Sequence, residues 1–391
     1  MQNRWGILAV LFAARLTMAI QFQSVAAVAP LLGSKFGVNL ADVGILIGLY
    51  FTPGITLALP GGAIGQRLGD KTASLLGLLL MLIGSLVMAF GDVWGFQIAG
   101  RLVAGAGGVL LSVQLTKMVT DWFAGYEIAT AMGIFVNSWP VGIALSLVFL
   151  PLIATGYGIE ALHLAVAVLI ALALILLGLT YRSPAGIVAT PLAAARPDRH
   201  VTGAVVAAGL IWGLFNVGFA MIFSFGPTML SERGWSLAVA GSTISIVLWL
   251  AAFSVPFGGY IADRLKRPQA ILVWGCVLFA ALMTVMPRAS AVIPVVVGLG
   301  LISGQPAGPI MSLPGRVLAP PTRAIGMGVF FTVFYAVMML GPMVAGAAAK
   351  STGSAAAAFD LGALALLACP FLLGGFNRLA AAKPAAAPAQ K

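Results

Sequence analysis

Among the residues able to do chemistry here, Arg15 is the most demanding, because it interrupts a long apolar run. It stands about ten residues into that run, or ~15 Å along a helix, which is near the midplane of a bilayer. Helical spacing puts Met18, Ala19, Phe22 and Gln23 on the same face. A guanidinium there offers a planar fork for a carboxylate or another oxyanion. The alternative is a structural pin, with the fork held by backbone carbonyls or glutamine side chains. All ten carboxylates, Asp42, Asp70, Asp92, Asp121, Glu127, Glu160, Asp198, Glu232, Asp263 and Asp360, avoid the middle of the first, fourth, seventh and tenth apolar runs. The uncompensated positive charge favours an anionic ligand over a cationic one.

Other polar and aromatic candidates sit at helical spacing. Trp212, Asn216, Phe219 and Phe223 follow i, i+4, i+7, i+11, which is one narrow face. They read equally as an aromatic wall with one amide or as ordinary packing. Gln305 precedes Pro306 in the tenth run, where proline frees backbone carbonyls. Tyr335 and Asn137 are further candidates. Asp360 reads as a local partner for polar backbone, and His163 as an interfacial residue. Two histidines, and two cysteines within apolar runs (Cys276 and Cys369), supply no metal cluster or Ser/His/Asp set. No nucleotide-binding loop is present. Neither catalysis nor a cofactor nor direct ATP drive is expected.

The elements that position these residues follow from composition. Of 391 residues, 61% are hydrophobic and only 8% charged, against about 25% charged in soluble domains, and the mean hydropathy is +1.08. Lipid must therefore be the solvent for most of the outside. Long continuous apolar runs favour helices over a β-barrel. They predict spans at 5–30, 40–64, 72–90, 94–119, 128–153 and 161–181, then 203–227, 237–261, 270–286, 292–313, 324–349 and 356–376. The expected fold class is an all-α membrane protein with twelve transmembrane helices in two pseudo-symmetric six-helix bundles. Its parts would be a first bundle at 1–181, a linker at 182–201, a second bundle at 202–378 and a disordered Ala/Pro/Lys tail at 379–391.

A net charge of +11 would suggest nucleic acid in a soluble chain. Its distribution decides otherwise. With both termini in the cytoplasm, fourteen of the 21 cations fall on the inner side and only Lys35, Arg233, Arg288 and Lys350 outside, while Arg15, Arg101 and Lys117 lie within spans. Arg15 and the continuing spans argue against a cleaved signal peptide.

The chain also repeats itself. Gly62-Ala-Ile-Gly-Gln-Arg67 and Gly259-Tyr-Ile-Ala-Asp-Arg264 are 197 residues apart, and Ala-Met-Gly133 and Gly-Met-Gly328 are 195 apart. The first loop continues as Gly69, Asp70 and Lys71, so that it resembles the signature loop of the major facilitator superfamily, G-x-x-x-D/E-R-x-G-x-R/K. It departs at Gln66, where an acid is usual. The second copy carries Asp263 and Arg264 but has Lys266 in the second-glycine position. Arg101-Leu-Val-Ala-Gly105-Ala-Gly107 resembles that family's fourth-helix motif.

The resemblance implies a secondary transporter working by alternating access, with the first, fourth, seventh and tenth helices lining its cavity. Gln66, Arg67, Gly69, Asp70, Lys71, Asp263 and Arg264 would then form conformational latches. Arg101 would serve structure, coupling to a proton, or substrate contact. Arg15, Gln23, Asn216, Gln305 and Tyr335 would bind substrate between Trp212 and Phe223. The compact chain is similar to those of the superfamily's anion permeases, including a cyanate-type branch, which implies a small organic or inorganic anion. A proton-coupled drug or metabolite efflux antiporter is the alternative. A monomer in a bacterial inner membrane is expected.

Overall fold

A computed structural model describes residues 3–57, 61–123, 128–182, 196–319 and 322–381. Among them only helices and short connections occur. Eleven helical segments are long and apolar enough to cross a membrane. One of them contains the helix Ser138–Thr180, whose 43 residues would run ~65 Å if straight, about twice the hydrocarbon thickness. It breaks at Gly158, whose φ of 89° suits glycine and few other residues. That one segment is two spans, which makes twelve among the described residues.

The spans are Arg4–Ala26 (first), a broken second made of Leu40–Leu49, Thr52–Leu57 and Gly61–Leu68, then Asp70–Phe90 and Trp94–Phe123. The fifth comprises Ile128–Val136 and the part of Ser138–Thr180 before Gly158; the remainder is the sixth. The second set is Arg199–Glu232, Leu237–Leu265, Pro268–Val285, a broken tenth (Val292–Ser303, Ala307–Met311 and a 3-10 turn Pro314–Arg316), Arg323–Thr352 and Ala356–Ala381. The expected linker and tail lie mostly outside the described residues. The twelfth helix continues through Ala381, five residues past its expected end and three into the expected tail, and the seventh starts at Arg199 under an Asp198 cap that accepts from the backbone of His200 and Val201.

Packing is set by small residues, as expected where lipid removes the hydrophobic drive between helices. A β-carbon on Gly84 would come within 2.5 Å of the Gly100 carbonyl, so the third and fourth spans touch backbone to backbone. Large apolar side chains point outward, with Phe371 82% exposed, while Arg101 is wholly buried. That inverts a soluble protein and identifies lipid as the surrounding medium.

The two halves meet where the second span crosses the eleventh, the fifth crosses the eighth and the first touches the seventh. The closest approaches lie toward the face opposite the chain ends. A β-carbon on Gly346 would meet the Leu40 carbonyl at 2.5 Å, and one on Gly241 would meet the Leu147 carbonyl at 2.2 Å. By contrast, Gly61–Leu68, Ile128–Val136 and Ala307–Met311, which point to the face of the chain ends, pack chiefly within their own halves. The halves are therefore pressed together on one side of the membrane.

The repeated loop keeps its geometry although its sequence drifts. Gly69 has φ of 82°, and Lys266, 197 residues later, has φ of 53° as the one non-glycine with positive φ among the described residues. The second copy imposes a left-handed turn on a lysine.

Candidate functional site

Arg15 lies mid-span and is only partly buried. Its Nη1 donates to the Phe135 carbonyl at 3.1 Å, and its guanidinium carbon stands 4.6 Å from the centre of the Phe135 ring. The fifth-span helix is interrupted at Asn137, just after Phe135, which leaves that carbonyl open to both Arg15 and the Ser138 hydroxyl. Arg15 Nε is buried without a hydrogen-bond partner. The charge of Arg15 couples electrostatically to the Tyr335 hydroxyl of the eleventh span. One bond from a five-donor group leaves most of the fork available.

Arg101 is the opposite case. It is 0% exposed. Nε donates to Leu46 O at 3.1 Å, Nη1 to Gln21 O at 2.9 Å and Nη2 to Phe22 O at 2.7 Å, with Tyr50 and Phe22 rings at 4.6 and 5.3 Å. Leu46 O is available because the helix Leu40–Leu49 ends there and the Tyr50 amide turns to Gly48 instead. Arg101 thus supplies the donor that a broken helix lacks, and ties the first, second and fourth spans together.

The remaining candidates fall into separate places. Tyr335 packs over Gly54 of the second span, where an added β-carbon would meet its ring at 2.3 Å. It stands 5.2 Å from Phe334 and 6.3 Å from Phe51, centroid to centroid, and Phe334 in turn lies 6.2 Å from Trp212. Tyr335 and Trp212 therefore share one ring-lined region between the halves, with Tyr335 within electrostatic range of Arg15. Asn216, partly exposed, donates to Trp212 O one turn back in its own helix.

Gln23 and Phe223 meet each other instead. Gln23 Nε2 donates to Phe223 O at 2.7 Å, both residues are buried, and Gln23 Oε1 has no partner. Gln305, in the break of the tenth span, donates to Leu301 O one turn back, and its backbone rests on Gly258 of the eighth span. His163, expected at the interface, is buried at 1% exposure. Asp360, expected to serve nearby backbone, instead takes both Nη groups of Arg288 at 2.8 and 2.9 Å.

On the face of the chain ends, Lys117 bridges Asp70 at 2.5 Å and Asp121 at 2.9 Å, joining the third and fourth spans. Arg67 is exposed, and Arg264 donates to the Tyr260 hydroxyl at 2.9 Å. The side chains of Gln66 and Asp263 lie outside the described residues. Sequence reading missed Phe51, Phe135 and Phe334, which come from three spans and show no shared spacing. It also passed over Lys117, although its i, i+4 relation to Asp121 was readable.

Comparison with known proteins agrees with this architecture. The family model of the Major Facilitator Superfamily matches residues 11–342 and 217–391. The inner membrane transport protein YajR of Escherichia coli (strain K12) is 29% identical over 134 residues, covering 34% of this chain and 29% of that one. The synaptic vesicular amine transporter of Mus musculus is 24% identical over 336 residues, 81% of this chain and 63% of that one. The chain thus spans less than two thirds of the length of these relatives. A bacterial homolog to the human lysosomal transporter Spinster, in an inward-facing and occupied conformation, superposes with a TM-score of 0.74 at 16% identity over the full length of both chains. The same homolog in an inward-facing and unoccupied conformation gives 0.72 over 96% of each. With twelve spans, a duplicated signature loop and a family match along nearly the whole chain, this multi-pass membrane protein belongs to the Major Facilitator Superfamily of transporters.

Proposed function

We propose that the chain is a secondary transporter for a small anion, which it carries by alternating access through a site centred on Arg15. The observation that carries this reading is the contrast between its two deep arginines. Arg101 spends its fork on three carbonyls, whereas Arg15 makes one such bond and keeps Nε unpartnered beside Tyr335. A cation kept at the midplane without a carboxylate is costly unless a ligand completes it. Tyr335 would add a neutral donor and Trp212 a wall, with Asn216 at the rim.

Gln23 and Phe223 have a different place in this reading. Their bond crosses from the first half to the second, and in this reading it helps to close the face opposite the chain ends. The proposed orientation puts the chain ends in the cytoplasm of a bacterial inner membrane, so the sealed face is the outer one. That corresponds to an inward-facing state, the state of both Spinster-homolog structures.

The vesicular amine transporters among the relatives favour a second reading, an amine substrate. An amine needs a carboxylate at the centre, and the sequence places none there. Thermal-shift measurement on purified protein separates the two. Small carboxylates should stabilise wild type and not Arg15→Gln. Stabilisation by amines alone, unchanged in Arg15→Gln, would overturn the anion reading.

A further inference from the structure

Resting on the anion reading of Arg15, we infer that the preferred substrate is a flat monocarboxylate with an aromatic or similarly apolar body, not a small inorganic oxyanion. Two independent features point there, one of charge and one of shape.

The charge feature is that a single guanidinium is on offer. Among the described residues, the other cation at comparable depth is Arg101, and its donors are consumed by Leu46, Gln21 and Phe22 carbonyls. A dianion such as sulfate or hydrogen phosphate would bring a second charge into the membrane interior with no second cation to meet it. A monoanion is matched by one arginine. The donors suit a carboxylate: Arg15 Nε–H has no partner, the Tyr335 hydroxyl lies within electrostatic range of Arg15, and Thr332 Oγ1, one turn from Tyr335, is buried without a partner.

The shape feature is the ring environment. Phe135 covers one side of the guanidinium at 4.6 Å. Beyond Tyr335, Phe334 and Phe51 lie 6.5 Å apart and Trp212 stands 6.2 Å from Phe334, so the wall draws on the second, seventh and eleventh spans. Trp212 and Phe334 are only partly buried. A small hydrated oxyanion would gain nothing from such walls, whereas a flat apolar body would bury its faces against them.

The test compares four probes by thermal shift on the full chain in detergent: benzoate, acetate, sulfate and benzylamine. It uses wild type, Arg15→Gln, Phe334→Leu and Trp212→Leu. The expected result is apparent affinity for benzoate at least about tenfold above acetate, no response to sulfate or benzylamine, and loss of all carboxylate response in Arg15→Gln. Phe334→Leu or Trp212→Leu should narrow the benzoate-to-acetate ratio while acetate binding persists. Equal responses to acetate and benzoate, or preference for sulfate, would overturn the flat monocarboxylate and leave the anion site standing. A response to benzylamine, an anion response that survives Arg15→Gln, or no response to any probe would remove the anion site beneath it.

Discussion

Gln23 Nε2 and the Phe223 carbonyl, 2.7 Å apart, join the first and seventh spans across the boundary between the two halves. The Phe22 and Phe223 rings meet beside that bond with centroids 6.2 Å apart. Every other bond of the deep polar residues Gln21 and Arg101 stays within the first half. Gln23 therefore ties one half to the other, where those bonds hold the first half alone.

If this bond helps to close the outer face, Gln23→Leu should shift the population toward the outward-open state. A net bond energy of about 1 kcal/mol corresponds to about a fivefold shift. Labelling of a cysteine placed at Thr228, buried on the same helix beyond Phe223, by an impermeant thiol reagent reads the change. The two native thiols are buried and leave a quiet background. Labelling should accelerate in Gln23→Leu; an unchanged or slower rate would show that the clasp does not hold the gate.

Arg101 should behave as a structural tie. Lysine offers one compact ammonium and cannot reproduce a fork spread over three carbonyls of two helices. Arg101→Lys is expected to cost about 2–4 kcal/mol and lower Tm by several degrees, with Leu46 O left unsatisfied. A variant of wild-type Tm that fails to transport would instead assign Arg101 to coupling.

Lys266 carries a backbone conformation that L residues avoid at a cost of about 1–2 kcal/mol. Lys266→Gly relieves it, though added freedom in the unfolded chain takes back part of the gain. A net increase of about 1 kcal/mol, read as a higher Tm, is expected, whereas Gly69→Ala should lower Tm. Destabilisation by Lys266→Gly would mean that the lysine side chain contributes more than its backbone costs.

The bridge at Lys117 makes a further prediction. Asp70→Asn leaves Lys117 with Asp121, so the loss should stay near 1 kcal/mol or less, because the lysine is partly solvated. Lys117→Met strands two carboxylates and should lower Tm more than Asp70→Asn does. The reverse order would show that Asp70 has a partner beyond Lys117.

The span count, the halves and the depth of Arg15 were readable because lipid imposes one simple rule on sequence, a long apolar run for each crossing. The duplicated loop was readable through its spacing, and even the misfit at Lys266 marked a real left-handed turn. What stayed hidden depends on breaks and long-range pairing. Nothing local says that the Tyr50 amide abandons Leu46 O and so prepares a partner for Arg101. Nor does spacing reveal that Gln23 turns to Phe223, 200 residues away, instead of toward Arg15. The rings of Phe51 and Phe334 meet only once the halves have docked.

The central claim is that Arg15 carries the charge of the substrate. Uptake of a radiolabelled monocarboxylate into proteoliposomes, by wild type and Arg15→Gln at matched protein content, tests it most directly. Loss of a charge-assisted contact worth about 2–3 kcal/mol predicts roughly a 30- to 150-fold fall in transport efficiency. Carboxylate uptake by Arg15→Gln at the wild-type rate, or wild-type uptake of amines with none of carboxylates, would contradict it.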